Sequence, residues 1–136
     1  MAGSVNDLVV YRFECAIEAL EDARLLFHAG RYKVSLNRSY YSIFHAMRAV
    51  NALDGFDSSK HSGVMAHFNQ FHVKEGHFPK EASKIIKGAS LMREQADYED
   101  FFVVCGQDAD EQIQKAEQFL SLVKNYLEMR QIHLHN

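Results

Sequence analysis

Apolar residues recur at intervals of three and four along most of the chain, which is the spacing typical of amphipathic α-helices. Gly30 is placed to end the first helix, Ser58 or Ser59 to cap the third, and Pro79 to begin the fourth. Asp108 with Glu111 three residues later resembles a capping box for the last. The pattern predicts five helices, at about residues 6–28, 32–53, 58–74, 79–96 and 108–127.

Short connections between such helices favour an up-and-down bundle with antiparallel neighbours. The chain has 136 residues, of which 47% are hydrophobic and 24% charged, a composition that fits one domain with one core. We therefore predict an all-α fold as a single domain over residues 1–136. Its core spans about 5–128, and 129–136 form a frayed tail containing His133 and His135. Residues 97–106 are predicted to be an apolar connector that packs on the bundle.

Charge and cysteine content limit the partners and the compartment. The formal net charge of −3 argues against non-specific binding to long nucleic acids, so DNA is not expected as a partner. Cys15 and Cys105 form no CxxC motif, which suits a reducing compartment. The first residues lack a secretory signal pattern and no apolar run approaches 18 residues, so we expect a cytoplasmic protein without a membrane partner.

The second predicted helix carries two candidate functional side chains, Arg38 and His45. Seven residues make nearly two helical turns, so both project from one face, about 10 Å apart along the axis. That face is not the apolar stripe. Beside it runs a series of small residues that would allow another helix backbone, including that of a second copy, to approach closely. The series comprises Ser35, Ser39, Ser42, Ala46 and Ala49.

An arginine and a histidine on the outer face of a helix are most often simply solvated. Here the flanking positions are small and polar, and Tyr41 adds a hydroxyl close to the same line. A guanidinium can bind phosphate through two parallel hydrogen bonds, and an imidazole titrates near neutral pH. The pattern therefore indicates a phosphate site with an acid/base group.

No metal site and no cofactor are predicted. The histidines at 61, 67, 72 and 77 are spaced by six, five and five residues, which does not align them on one face of an α-helix. They are interpreted mostly as surface or loop residues. His61 is the exception, because next to Lys60 at a helix N-terminus it could help to hold an anion. Arg93 and Glu94 are interpreted as a solvated helix end.

The segment 37–46 resembles the HEPN superfamily, and more narrowly the small stand-alone proteins once grouped as UPF0332. Blocks similar to Lys60–Val64 and Ala96–Phe101 follow in the same order, and the resemblance spans about 5–127. It implies a four-helix core with an extra short helix or connector, and a homodimer formed through the helix bearing Arg38 and His45. In active members the shared cleft is a metal-independent endoribonuclease, often a toxin neutralised by a partner from the minimal nucleotidyltransferase family.

The resemblance assigns catalytic positions to Arg38 and His45, with Asn37 and Ser42 as supporting polar residues. We hypothesise that His45 acts as general acid/base and that Arg38 binds the scissile phosphate of RNA. Tyr41, Lys60 and His61 are further candidates for substrate binding.

The chain also departs from the family pattern. Ser39 stands where many active members have Asn, Asp or His, and Met47 stands where one toxin subgroup has a tyrosine. Three functions therefore remain open. The first is RNA cleavage. The second is a non-catalytic module that binds nucleotide or docks a nucleotidyltransferase. The third is a structural bundle in which the Arg/His pair only organises a dimer.

Overall fold

The structure, a computed structural model, describes residues 4–134 and is built from helices. The helices are α1 (Val5–His28), α2 (Tyr32–Ala52), α3 (His61–Phe68), α4 (Lys80–Tyr98) and α5 (Gly106–Met129). A π-helical turn, Asn69–Val73, continues α3. These residues contain no strand, so the all-α prediction is confirmed. None of these helices is both long enough and apolar enough to cross a membrane.

The helix ends show which capping residues are present in the structure. Ser4 caps α1 in a capping box with Asp7: the Ser4 hydroxyl accepts from the Asp7 amide at 3.1 Å, and the Asp7 carboxylate accepts from the Ser4 amide at 3.0 Å. Gly30 follows α1 at φ +74°, as its predicted role as a helix stop requires. The capping box predicted at Asp108 is wrong, because α5 already begins two residues earlier and Asp108 lies within its first turn.

Helix α2 is the central element, since it packs against each of the other four helices. Its predicted apolar stripe faces the core, where every member is at most 2 % exposed. The stripe consists of Leu36, Tyr40, Ile43, Met47 and Val50.

The small-residue face of α2 is equally buried, and α1 covers it. The Ser35 hydroxyl donates to the carbonyl of Ala23, and the Ser42 hydroxyl donates to the carbonyl of Ala16, both at 2.7 Å. Each seven-residue step along α2 is thus matched by a seven-residue step back along α1, which defines an antiparallel register. A helix of the same chain therefore occupies this face, and the second copy that the sequence left open does not pack there.

The connector after α4 packs only in part. Phe102 and Val104 join a small cluster around the N-terminal half of α2, as predicted. Tyr98, Phe101 and Val103 instead point outward and are 75 %, 98 % and 80 % exposed, which corrects the prediction for these three residues. Phe101 also adopts φ 64°, a left-handed conformation that is rare for a bulky side chain.

The C-terminal segment is attached to the bundle more closely than a frayed tail. Ile132 is 5 % exposed and its amide donates to the carbonyl of Leu127 at 2.9 Å. Leu134 packs partly buried against the same core. His133 is exposed, and His135 lies outside the described residues.

We expect Ser42→Val to destabilise the fold by about 1–3 kcal/mol. The change removes a buried hydrogen bond and places a larger, branched side chain in the interface between α1 and α2. Urea unfolding measures the difference, and Ser121→Val on the exposed side of α5 is the matched control. Equal stabilities of the two variants would contradict the close contact of α1 with α2.

Candidate functional site

Arg38 presents a guanidinium with unused hydrogen-bonding capacity. One of its terminal nitrogens donates to the side-chain oxygen of Asn37 at 3.2 Å, and its Cζ lies 5.0 Å from the ring centroid of Tyr41. Within residues 4–134 no carboxylate forms an ion pair with it. The charge of Arg38 is therefore available to an anion, while Asn37 and Tyr41 restrict its orientation.

Arg38 and His45 line the same small pocket, as their spacing predicts. The pocket has a volume of about 160 Å³, and α1 forms its opposite wall through Cys15, Glu18, Ala19 and Asp22. We call it the Arg38–His45 pocket. The contribution of α1 could not be identified from sequence, where Glu18 and Asp22 look like ordinary surface acids. Their presence means that the pocket is of mixed charge rather than purely cationic.

His45 is held in its neutral form by its surroundings. Burial lowers its pKa, and the nearby positive charges of Arg48, Arg38 and Arg12 lower it further. No hydrogen bond to its ring is formed by any group in the described part of the chain. A neutral imidazole with a free lone pair can accept a proton at neutral pH, as a general base must.

Tyr41 is the point where the cationic and aromatic groups meet. Its ring lies 6.2 Å from that of His45 and 5.7 Å from that of His61, measured between centroids. The Cζ atom of Arg93 lies 5.9 Å from the same ring, on the side supplied by α4. Sequence reasoning pointed to the hydroxyl of Tyr41, whereas the contacts run through its ring.

His61, the first residue of α3, is packed against α2. Its Nδ1 lies 2.8 Å from the hydroxyl of Tyr40, and its ring lies 4.2 Å from that of Phe44. Burial raises the pKa of Tyr40 to about 12, so this hydroxyl keeps its proton and forms a hydrogen bond with Nδ1 of His61. Burial also lowers the pKa of His61, with further lowering from Arg93 and Arg48. The lowered pKa favours the neutral form of the His61 ring.

Arg93 is the residue that sequence reasoning missed. Its side chain is only 16% exposed, and its Cζ lies 4.6 Å from the ring centroid of Tyr40. Its Nε atom is buried and has no hydrogen-bond partner among residues 4–134. The interpretation of Arg93 as a solvated helix end is therefore wrong. No motif marks this position, because α4 meets Tyr40 only through the tertiary fold.

Two of the predicted supporting residues lie apart from these contacts. Ser42 is fully buried and its hydroxyl is used by the carbonyl of Ala16, so it serves the contact between α1 and α2 and we remove it from the substrate-binding set. Lys60 is exposed at the N-cap of α3, where its amide donates to the hydroxyl of Ser58 at 3.1 Å.

A second cluster of polar side chains lies where α2 ends. His72 is 1 % exposed, and its Nε2 lies 2.6 Å from a carboxylate oxygen of Asp54. The Nε2 of His67 lies 2.9 Å from the same oxygen, and the Nδ1 of His77 lies 3.1 Å from that of His72. The interpretation of these histidines as surface or loop residues is wrong for His72, which is part of the core.

Comparison with known proteins identifies relatives over most of the chain. The profile of the HEPN domain matches residues 9–126. A UPF0332 protein of Thermotoga maritima is 34% identical over 121 residues, which cover 89% of this chain and 92% of the relative. A protein of Methanocaldococcus jannaschii that bears the name "Putative toxin" is 32% identical over 114 residues, covering 84% of each chain. A UPF0332 protein of Archaeoglobus fulgidus is 29% identical over 119 residues, covering 88% and 94%.

We expect His45 to titrate below the ordinary range of histidine and its pKa to rise in the Arg38→Gln variant, because a neighbouring positive charge is removed. The proton signals of its ring, followed by NMR as a function of pH, provide the measurement. Arg31→Gln is the control, since Arg31 lies about 21 Å away along the axis of the same helix and its charge is screened. An unshifted His45 in Arg38→Gln would contradict the proximity of the two side chains.

Proposed function

Because the chain belongs to the HEPN domain family, we propose that it is an endoribonuclease that cleaves RNA without a metal in the reaction. The observation that carries this proposal is the shared pocket of Arg38 and His45. There a guanidinium that forms no ion pair with any described residue lies beside an imidazole whose pKa is lowered. Phosphate binding and proton transfer are the two operations that RNA cleavage needs.

RNA supplies its own nucleophile in the ribose 2′-hydroxyl. In the proposed reaction His45 accepts the proton of this hydroxyl as its oxygen attacks the adjacent phosphorus. Arg38 binds the non-bridging phosphate oxygens and stabilises the negative charge that develops on them. The bond from phosphorus to the 5′-oxygen breaks, and that oxygen receives a proton. The products are a 2′,3′-cyclic phosphate and a free 5′-hydroxyl.

The leaving oxygen needs an acid in addition to the base. A homodimer formed around α2 would place two Arg/His pairs in one cleft, so that the equivalent histidine of a second copy could protonate the leaving group.

Two relatives of Methanocaldococcus jannaschii, 32% and 29% identical, bear the name "Putative toxin". We infer that this chain is also a toxin, and that it cleaves cellular RNA until a partner of the minimal nucleotidyltransferase family covers the cleft.

A module that binds nucleotide without cleaving it is the second candidate. It is favoured by the partly exposed rings of Tyr41 and His61 with Arg93 beside them, because aromatic and guanidinium planes stack on bases. Binding that is weakened by Tyr41→Ala, with no product from any RNA tested, would favour this candidate over an RNase.

We expect the purified protein to cleave single-stranded RNA in the presence of EDTA and to leave 2′,3′-cyclic phosphate ends. His45→Ala and Arg38→Ala should each reduce the rate by about 10²–10⁴-fold, since each removes a group that acts in the transition state. The measurement is gel analysis of labelled RNA. His133→Ala and Arg31→Ala are the matched controls and should retain the wild-type rate. Cleavage that persists at full rate in His45→Ala would contradict the mechanism.

Mixing the two inactive variants tests whether the cleft is shared. A mixed dimer of Arg38→Ala with His45→Ala contains one intact arginine and one intact histidine in the same cleft. We therefore expect partial recovery of cleavage after the two variants are unfolded and refolded together. If the mixture stays as inactive as its components, each chain acts through its own pocket.

A further inference from the structure

The cluster at the end of α2 brings three candidate metal ligands to one point. Asp54 follows α2 by two residues, His67 lies in α3, and His72 lies in the π turn. Both imidazole Nε2 atoms face the same carboxylate oxygen, at 2.9 Å and 2.6 Å. All three donor atoms lie within 4.8 Å of one another. None of the three residues lines the Arg38–His45 pocket.

The π turn is what aligns the two histidines. Five residues separate His67 from His72, which in an α-helix would place them about 140° apart. Over Asn69–Val73 the backbone bonds run from residue i to i+5, as in the bond from the Lys74 amide to the Asn69 carbonyl at 2.9 Å. This wider winding turns by fewer degrees per residue than an α-helix does, so His67 and His72 lie less than 140° apart and both rings reach Asp54. Such turns are rare in helices and are found frequently at functional sites.

Other contacts hold the rings in this orientation. The ring of His67 stacks on Phe56 at 4.1 Å and contacts Phe71 at 4.5 Å. The Nδ1 of His72 lies 3.1 Å from the Nδ1 of His77, so the nitrogen that does not face Asp54 has its own partner. Histidines that ligate metals almost always form a hydrogen bond through the second ring nitrogen, which orients the ring.

The geometry is close to what a transition metal requires. Zinc binds histidine nitrogen at about 2.0–2.1 Å and carboxylate oxygen at about 2.0–2.2 Å, so its tetrahedral ligands lie roughly 3.3 Å apart. The His–Asp separations here are within about 0.7 Å of that value. The side chain of Asp54 is 31% exposed, which gives solvent and ions access to the cluster.

We propose that Asp54, His67 and His72 form a binding site for a divalent transition-metal ion, with zinc as its best match. Two imidazoles and one carboxylate are borderline ligands that favour such an ion over calcium or magnesium. The exposed side of Asp54 leaves the fourth position to water. The ion would fasten the end of α2 to α3 and to the π turn, so its role is structural and lies outside the proposed cleavage chemistry.

The test is calorimetric titration of the full chain with Zn²⁺ after removal of bound metal by a chelator. We expect one Zn²⁺ per chain and a Kd raised at least tenfold by Asp54→Asn and by His67→Gln. Both positions are at least partly exposed, and asparagine keeps the shape of the aspartate, so both variants should fold. His133→Gln, which removes an exposed histidine elsewhere, is the matched control and should bind as the wild type does.

Thermal unfolding provides a second measurement. Binding to the folded state alone raises the unfolding midpoint, so Zn²⁺ should raise the Tm of the wild type and of His133→Gln. The increase should be absent or much smaller in Asp54→Asn. Failure of the wild type to bind Zn²⁺, or equal affinities in the wild type, Asp54→Asn and His67→Gln, would overturn the proposal. The cluster would then be a hydrogen-bonded network only, and neither result depends on whether the protein cleaves RNA.

Discussion

The close contact between α1 and α2 is the constraint on which the rest of the structure depends. Two serine hydroxyls of α2 bond to backbone carbonyls of α1, and this is feasible only where the facing residues are small. Packing against α1 buries one side of α2, and a second side, which carries the apolar stripe, is buried in the core. Two edges of α2 can still contribute side chains to a functional site. One carries Arg38 and His45, and the other faces α3 and α4. The position of the pocket therefore follows from how α2 is packed.

The charges close to the Arg38–His45 pocket affect its side chains more than the net charge of the chain does. The chain is acidic overall, yet His45 is surrounded by Arg12, Arg38 and Arg48, which together with burial keep its pKa low. Of these arginines, Arg12 and Arg48 are paired with Asp57, whereas Arg38 forms no ion pair within residues 4–134. This difference arises from tertiary contacts and cannot be read from the net charge of the chain.

Sequence reasoning succeeded where a structural feature follows from positions along one helix. The five helices follow from apolar spacing, and the shared pocket of Arg38 and His45 follows from a separation of nearly two turns. It failed where two elements must meet. Arg93 reaches Tyr40 from α4 without any motif, and the small face of α2 gave no indication of whether α1 or a second copy would cover it. His67 and His72 were misjudged because an α-helical period was assumed through a segment that winds differently.

The winding of that segment bears on how α3 can vary in evolution. Gaps between related helical proteins normally fall in loops, because adding or removing one residue inside an α-helix rotates everything beyond it by about 100°. Deletion of one residue from Asn69–Val73 would restore a continuous α-helix, whose backbone hydrogen bonds are more favourable than those of the π turn. Such a shortening would swing the ring of His72 away from Asp54. Selection on this stretch would then act on the position of the His72 ring. A one-residue gap at this helix in a sequence alignment would mark the branches of the family in which the ring has gained or lost its place beside Asp54.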